Sequence, residues 1–159
     1  MAEKILESEN QTQELARQLI SQYHQELGEK ALLFALEGDL GAGKTTFTKG
    51  IGSFLAVKQP IRSPGYILVS EYPFSYEGEP KKLFHIDLWR VQDFSEAQTL
   101  EMAQMLKQGN VVVVEWAQKI PEMVEDLISN PTKVKAIRIH FDQTAENERS
   151  AEIDELNWT

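Results

Sequence analysis

Residues 38–45 read Gly-Asp-Leu-Gly-Ala-Gly-Lys-Thr and match the phosphate-binding pattern G-x-x-x-x-G-K-[ST] at every fixed position. The chemistry needs this spacing. Gly38, Gly41 and Gly43 let the backbone curl until successive N–H groups of Asp39, Leu40, Ala42 and the lysine converge on an anion. A following helix adds the partial positive charge of its N-terminus, next to Thr46. Lys44 has the reach for the β- and γ-phosphates of a nucleotide, and the Thr45 hydroxyl suits Mg²⁺. Such a loop needs carboxylates opposite it. Glu115 directly follows four valines, as an acid closing a buried strand does, and Asp87 ends the run Leu83-Phe-His-Ile-Asp. Either could serve on the Mg²⁺ side or orient an attacking water. His85 alternates with Asp87 and so shares its strand face; it either orients Asp87 or is a hydrogen-bonded structural histidine. Arg62 and Arg90 flank these positions, as phosphate contacts or as solvated side chains. Trp116 is either core or part of the nucleotide site. Lys44 is expected on a solvent-facing loop.

The positioning elements follow from local pattern. Ala31 to Leu36 is an apolar run that reads as a buried strand entering the loop, and Thr46 to Leu55 reads as the helix leaving it. Before them, Leu15, Leu19, Ile20, Tyr23 and Leu27 form one helical stripe, predicting a helix from Gln11 to Leu27 capped by Asn10 or Thr12. Pro60-Ile-Arg-Ser-Pro-Gly-Tyr cannot be regular structure. Tyr66 to Tyr72 and Lys82 to Leu88 read as an antiparallel hairpin around the turn Tyr76-Glu-Gly-Glu-Pro. A helix is expected from a Ser95 cap to about Gln108. Val111 to Val114 has the all-apolar composition of a central parallel strand. A short helix from Pro121 to Ile128 follows. Val134 to Phe141 alternates and reads as a half-exposed edge strand. Asp142 to Glu148 reads as a loop opening an acidic tail, with Arg149 to Leu156 as a returning antiparallel strand. The expected fold is α/β of the P-loop NTPase kind, a central parallel sheet flanked by antiparallel strands and helices, in one domain spanning 1–159.

Composition narrows the function classes. At 159 residues, with 42% hydrophobic and 26% charged side chains, the chain is an ordinary globular length and mixture. It has no cysteine, which excludes disulfides and thiolate metal sites. The longest apolar runs are too short to span a bilayer, and the acid-rich first residues lack the pattern of a secretory signal; a cytoplasmic location is expected. The net charge of −9 repels nucleic acid in general, so a role near RNA needs a local basic patch or a partner that does the binding.

Gly-Asp-Leu-Gly-Ala-Gly-Lys-Thr-Thr (38–46), Ser63-Pro64, Glu71-Tyr72, His85-x-Asp87-Leu-x-Arg90 and Glu115-Trp116 occur in one order at compact spacing. Over roughly residues 10–141 this set resembles the TsaE (YjeE) family, the small P-loop ATPases of bacterial tRNA threonylcarbamoyladenosine synthesis. The resemblance implies a slow Mg²⁺-dependent ATPase that acts with TsaB and TsaD partner proteins and meets tRNA through them. It implies that Lys44 and Thr45 hold phosphate and Mg²⁺, that Glu115 is the Mg²⁺-side acid, that Asp87 is a second functional carboxylate, and that Trp116 belongs to the nucleotide or partner surface. One segment departs from the family. Where the family has Ser-Pro-Thr-[Phe/Tyr]-Thr-Leu, this chain has Ser63-Pro-Gly65-Tyr66-Ile67-Leu68. Both hydroxyls of a γ-phosphate-sensing switch are missing, and Gly65→Thr should restore sensing on condition that φ at position 65 is negative. Trp89 replaces the usual Tyr. A small-molecule P-loop kinase and a nucleotide-gated binding module with little turnover are the alternatives. The first lacks an Arg-rich lid; the second is compatible with Gly65 and Ile67. A GTPase is disfavoured because no Asn-Lys-x-Asp motif is present.

Overall fold

A computed structural model describes residues 2–39, 41–130 and 132–156. The chain runs β1 (Ala2–Leu6), α1 (Glu9–Tyr23), β2 (Ala31–Glu37), α2 (Lys44–Phe54), β3 (Val69–Tyr76), β4 (Glu79–Asp87), α3 (Phe94–Gln98), α4 (Met102–Met105), β5 (Val111–Glu115), α5 (Pro121–Leu127), β6 (Val134–Ala145) and β7 (Glu148–Glu155), with 3₁₀ turns at His24–Gly28, Gly65–Ile67 and Ala117–Lys119. The seven strands form one sheet in the order β1-β7-β6-β2-β5-β4-β3. Its middle is parallel: β2 pairs with β6 and β5, and β5 with β4. The outer pairings are antiparallel.

Period-two alternation divides the core between the two sheet faces. Leu32, Phe34 and Leu36 of β2, with Val111 and Val113 of β5, pack against Leu15, Leu19 and Ile20 of α1 and Phe47 and Ile51 of α2. Leu33, Ala35, Val112 and Val114 face the other way, toward Ala97 of α3, Met102 of α4 and Met123 and Leu127 of α5. With helices on both faces, β2 and β5 are buried apart from the half-buried Glu37 at the end of β2. This burial explains their uninterrupted apolar composition. Helices α1 and α2 approach closely because residue 50 has no side chain: a Cβ there would meet Gln13 O at 2.5 Å and Ala16 Cβ at 2.7 Å.

Several local expectations change. Helix α1 starts at Glu9, because Ser8 Oγ accepts the Gln11 N–H at 3.1 Å, and neither Asn10 nor Thr12 is the cap. The helix expected from Ser95 to Gln108 is broken into α3 and α4. Asp93 caps α3, and Glu101 adopts φ +55° before α4. A continuous helix would place Met102 about 140° around the axis from Ala97; the left-handed residue brings both into the same core. Strand β6 is not an edge. It lies between β2 and β7 and runs on to Ala145, so most of the expected loop and acidic tail is a hairpin. The true edge on that side is β1, a five-residue strand exposed at every position but Leu6 and without a hydrophobic pattern to announce it.

Candidate nucleotide-binding site

The loop between β2 and α2 has the conformation its glycines allow, with φ of +140° at Gly38, +78° at Gly41 and +114° at Gly43. At Gly38 a side chain is also excluded by space, since a Cβ would lie 2.7 Å from Phe141 O. Gly43 is the N-cap of α2 and offers no side-chain bond to its first N–H groups. The orphan donors of that turn are therefore left to face the loop, as an anion site requires. Ala42 is buried, Asp39 is exposed, Thr46 is half-buried, and Leu40 lies outside the described residues.

Lys44 is not solvent-facing: it is only 4% exposed. Its ammonium donates to Gly38 O and Asp39 O, each at 2.7 Å, and lies 4.1 Å from the centroid of the Trp116 ring. Burial pushes the Lys44 ammonium below the usual lysine range, opposed by the negative charges of Glu115, Asp87 and Asp39.

Parallel pairing brings the end of β5 alongside the loop. Glu115 is 3% exposed, as expected of an acid closing a buried strand. The Thr45 hydroxyl lies 3.1 and 3.0 Å from its two carboxylate oxygens. His85, fully buried on β4, bonds through Nε2 to Glu115 Oε2. It was a candidate to orient Asp87, but the sheet aims its ring at the acid of the neighbouring strand. Asp87 lies opposite Glu115 in the β4–β5 register, half-buried, and its Oδ1 accepts the Trp89 N–H at 2.9 Å. Trp116 has φ +60° and stacks on Trp89 with ring centroids 4.3 Å apart.

The two arginines do not join this group. Arg90 stacks over the Tyr66 ring at 3.9 Å, and Arg62 is exposed and lines a cavity with Lys49 and Lys58. Two residues that local pattern does not mark do join it. Gln118 donates to Gly38 O at 3.1 Å, and Arg149 of β7 donates to Gly41 O at 3.2 Å. Both contacts come from segments distant in sequence, so no spacing rule reveals them. A cavity of about 230 Å³ adjoins the loop, lined in part by Glu7, Thr12, Gly41, Thr46, Asn147 and Arg149. In the switch segment Gly65 has φ +60°, so the condition for a threonine at that position is not met.

The oxygen donors fit a hard divalent cation. Mg²⁺ takes oxygen ligands and is held through one or two protein groups plus phosphate and water. Thr45 and Glu115 supply a hydroxyl and a carboxylate side by side. Among the described residues no group of three or more His, Asp or Glu forms a separate metal site.

Comparison with known proteins identifies the family. Residues 6–151 match the family model of "Threonylcarbamoyl adenosine biosynthesis protein TsaE". The tRNA threonylcarbamoyladenosine biosynthesis protein TsaE of Aquifex aeolicus is 37% identical over 145 residues, 87% of this chain and 97% of that one. The protein of the same name from Nostoc is 34% identical over 129 residues, 78% of this chain and 70% of that one. The match to the Bacillus subtilis TsaE, 37% identical over 92 residues, spans about half of each chain. In fold, the crystal structure of B. subtilis YdiB superposes with a TM-score of 0.61 at 24% identity, over 94% of this chain and 82% of that one. The phosphate loop, the acid facing it and the α/β sheet that joins them thus belong to a member of the TsaE family, which works in the biosynthesis of threonylcarbamoyladenosine in tRNA.

Proposed function

We propose that this chain binds and slowly hydrolyses ATP with Mg²⁺ in support of threonylcarbamoyl transfer to the tRNA adenosine beside the anticodon, acting in the cytoplasm with TsaB and TsaD. The observation that carries the reading is the contact of Thr45 with the buried Glu115, next to Lys44. It joins the start of α2 to the end of β5, the arrangement a Mg²⁺–phosphate pair needs. Lys44 and the loop N–H groups hold the phosphates, and Thr45 and Glu115 hold the metal. Asp87 is the second functional carboxylate, and Trp116 borders the nucleotide. The cavity beside Gly41 and Thr46 takes the nucleoside. Bound Mg²⁺ neutralises charge on the phosphate oxygens. The chain's own part is to orient: Lys44 exchanges two backbone carbonyls for phosphate oxygens, and Glu115 keeps the Thr45 hydroxyl turned toward the site. The net charge of −9 supports contact with tRNA through partners, and among the described residues no helix is long and apolar enough to cross a membrane.

Gly65 at φ +60° favours a second reading, a nucleotide-gated binding module with little turnover of its own. One experiment separates the two. Phosphate release is measured with ATP and Mg²⁺, alone and with purified TsaB and TsaD, together with co-purification of the three proteins with and without ATP. Turnover that rises when the partners are added supports the proposal. Tight ADP binding without turnover in the assembly supports the binding module, and no nucleotide binding refutes both.

A further inference from the structure

His85 is fully buried, yet its ring bonds with a carboxylate on one side and, among the described residues, has no partner for Nδ1 on the other. A buried imidazole with an unpartnered nitrogen costs stability relative to an apolar side chain of its size. Among the described residues its ring bonds to one polar group, and its effect on the site passes through that group. That group is Glu115, while Asp87 accepts the Trp89 N–H. A carboxylate only accepts hydrogen bonds, so the ring nitrogen facing Glu115 is the donor and the proton belongs on Nε2.

The Glu115 carboxylate then has an asymmetric set of contacts. His85 takes Oε2 alone, while the Thr45 hydroxyl lies near both oxygens. A hydroxyl carries one proton and serves one oxygen at a time. Without His85, the carboxylate is free to turn about its terminal torsion, which is broad and roughly two-fold. With His85, Oε2 is anchored in the sheet, while Oε1 has the Thr45 hydroxyl at 3.1 Å.

We propose that His85 is a positioning residue: its Nε2–H clamps Glu115 Oε2 and presents the other carboxylate oxygen, with Thr45, to a divalent cation. This rests on the proposed Mg²⁺–nucleotide function. Partners that orient metal ligands in this way are worth about 10- to 100-fold in metal affinity.

The test is a Mg²⁺ titration of binding to a fluorescent ATP analogue, with binding in EDTA as the reference. His85→Leu removes the donor and keeps an apolar filling. It should raise the Mg²⁺ concentration for half-maximal effect about tenfold or more and leave affinity in EDTA within about threefold. His85→Gln, which places an amide N–H near the position of Nε2, should restore most of the loss. In a Glu115→Gln background His85→Leu should have no further effect on the Mg²⁺ requirement, because its route is gone. An unchanged requirement in His85→Leu, or an undiminished effect in the Glu115→Gln background, overturns the proposal while leaving the ATPase reading intact. If the Leu variant does not fold, His85→Asn replaces it: its shorter amide misses Oε2, and equal Mg²⁺ requirements in Asn and Gln overturn the proposal. Wild-type protein whose nucleotide binding ignores Mg²⁺ removes both readings together.

Discussion

Replacing Lys44 by Met should leave the fold standing and abolish tight nucleotide binding, and the structure gives the reason for both halves. The ammonium makes two hydrogen bonds to carbonyls, at 2.7 Å each, and one cation–π contact with Trp116. Bonds to a charged donor contribute about 1.5–3 kcal/mol each and the ring contact about 1–2. Against this total of about 4–8 kcal/mol stands the desolvation of a buried ammonium, several kcal/mol, visible as the downward push on its pKa. The two nearly cancel. Gly38 O keeps a second donor in Gln118, and Met refills the space without a cavity. Unfolding stability should thus change by less than about 2 kcal/mol. Nucleotide binding has no such cancellation. Losing one partner of a charged, enclosed contact typically costs about 2–5 kcal/mol, so the dissociation constant for ATP should rise about 30-fold or more. Thermal unfolding and titration with a fluorescent ATP analogue test the two halves. A variant that binds within about threefold of wild type refutes the assignment of the loop, and one that fails to fold refutes the cancellation.

Glu115→Ala should reduce Mg²⁺-dependent hydrolysis by more than about tenfold, roughly 1.4 kcal/mol of barrier, in a steady-state phosphate-release assay; wild-type rates would shift the metal-side role to Asp87. Ile67, 77% exposed, takes the place of the second missing hydroxyl, so Ile67→Thr should keep stability within about 0.5 kcal/mol and raise turnover or the preference for ATP over ADP. No change in either would show that this segment does not sense the γ-phosphate. At the far edge of the sheet, the Tyr23 hydroxyl, followed by Lys135, holds the Glu155 carboxyl below its ordinary 4.5. Folded protein therefore binds fewer protons there than unfolded protein. The stabilisation is present above pH 4.5 and lost as pH falls through the lower folded value. Urea unfolding at pH 7 and pH 3.5 should show a smaller acid loss in Tyr23→Phe than in wild type, the difference staying under about 1 kcal/mol because Glu155 is partly exposed; an equal loss would separate Tyr23 from the effect.

What could be read from the chain is what is encoded locally. The phosphate loop, the strand before it, the valine strand with its terminal acid and the returning C-terminal strand all carry their signal within a few residues. Sheet neighbours carry no such signal. That His85 reaches Glu115 rather than Asp87, and that Arg149 reaches Gly41, follow from placing β5 beside β4 and folding β7 back toward the loop. Backbone sign is hidden too: Glu101 and Trp116 adopt φ of +55° and +60°, which nothing in their residue types announces. The break between α3 and α4 follows from the first and the exit from β5 turns on the second. The charge of Lys44 suggests solvent, while the loop wraps its ammonium with carbonyls and an indole.

That indole has a consequence in optics. Trp116 carries an ammonium on its face and another indole, Trp89, at 4.3 Å with the ring planes tilted by 38°. Two chromophores this close share their excitation, and a cation held against one of them shifts its emission. A phosphate that draws Lys44 from the ring would alter the second effect and leave the first to the geometry of the two indoles. Under the proposed function, phosphate occupancy should therefore be readable without a label, as a change in the intrinsic emission of Trp116. Trp89→Phe would remove the excitonic part and keep the response of Trp116 to the cation.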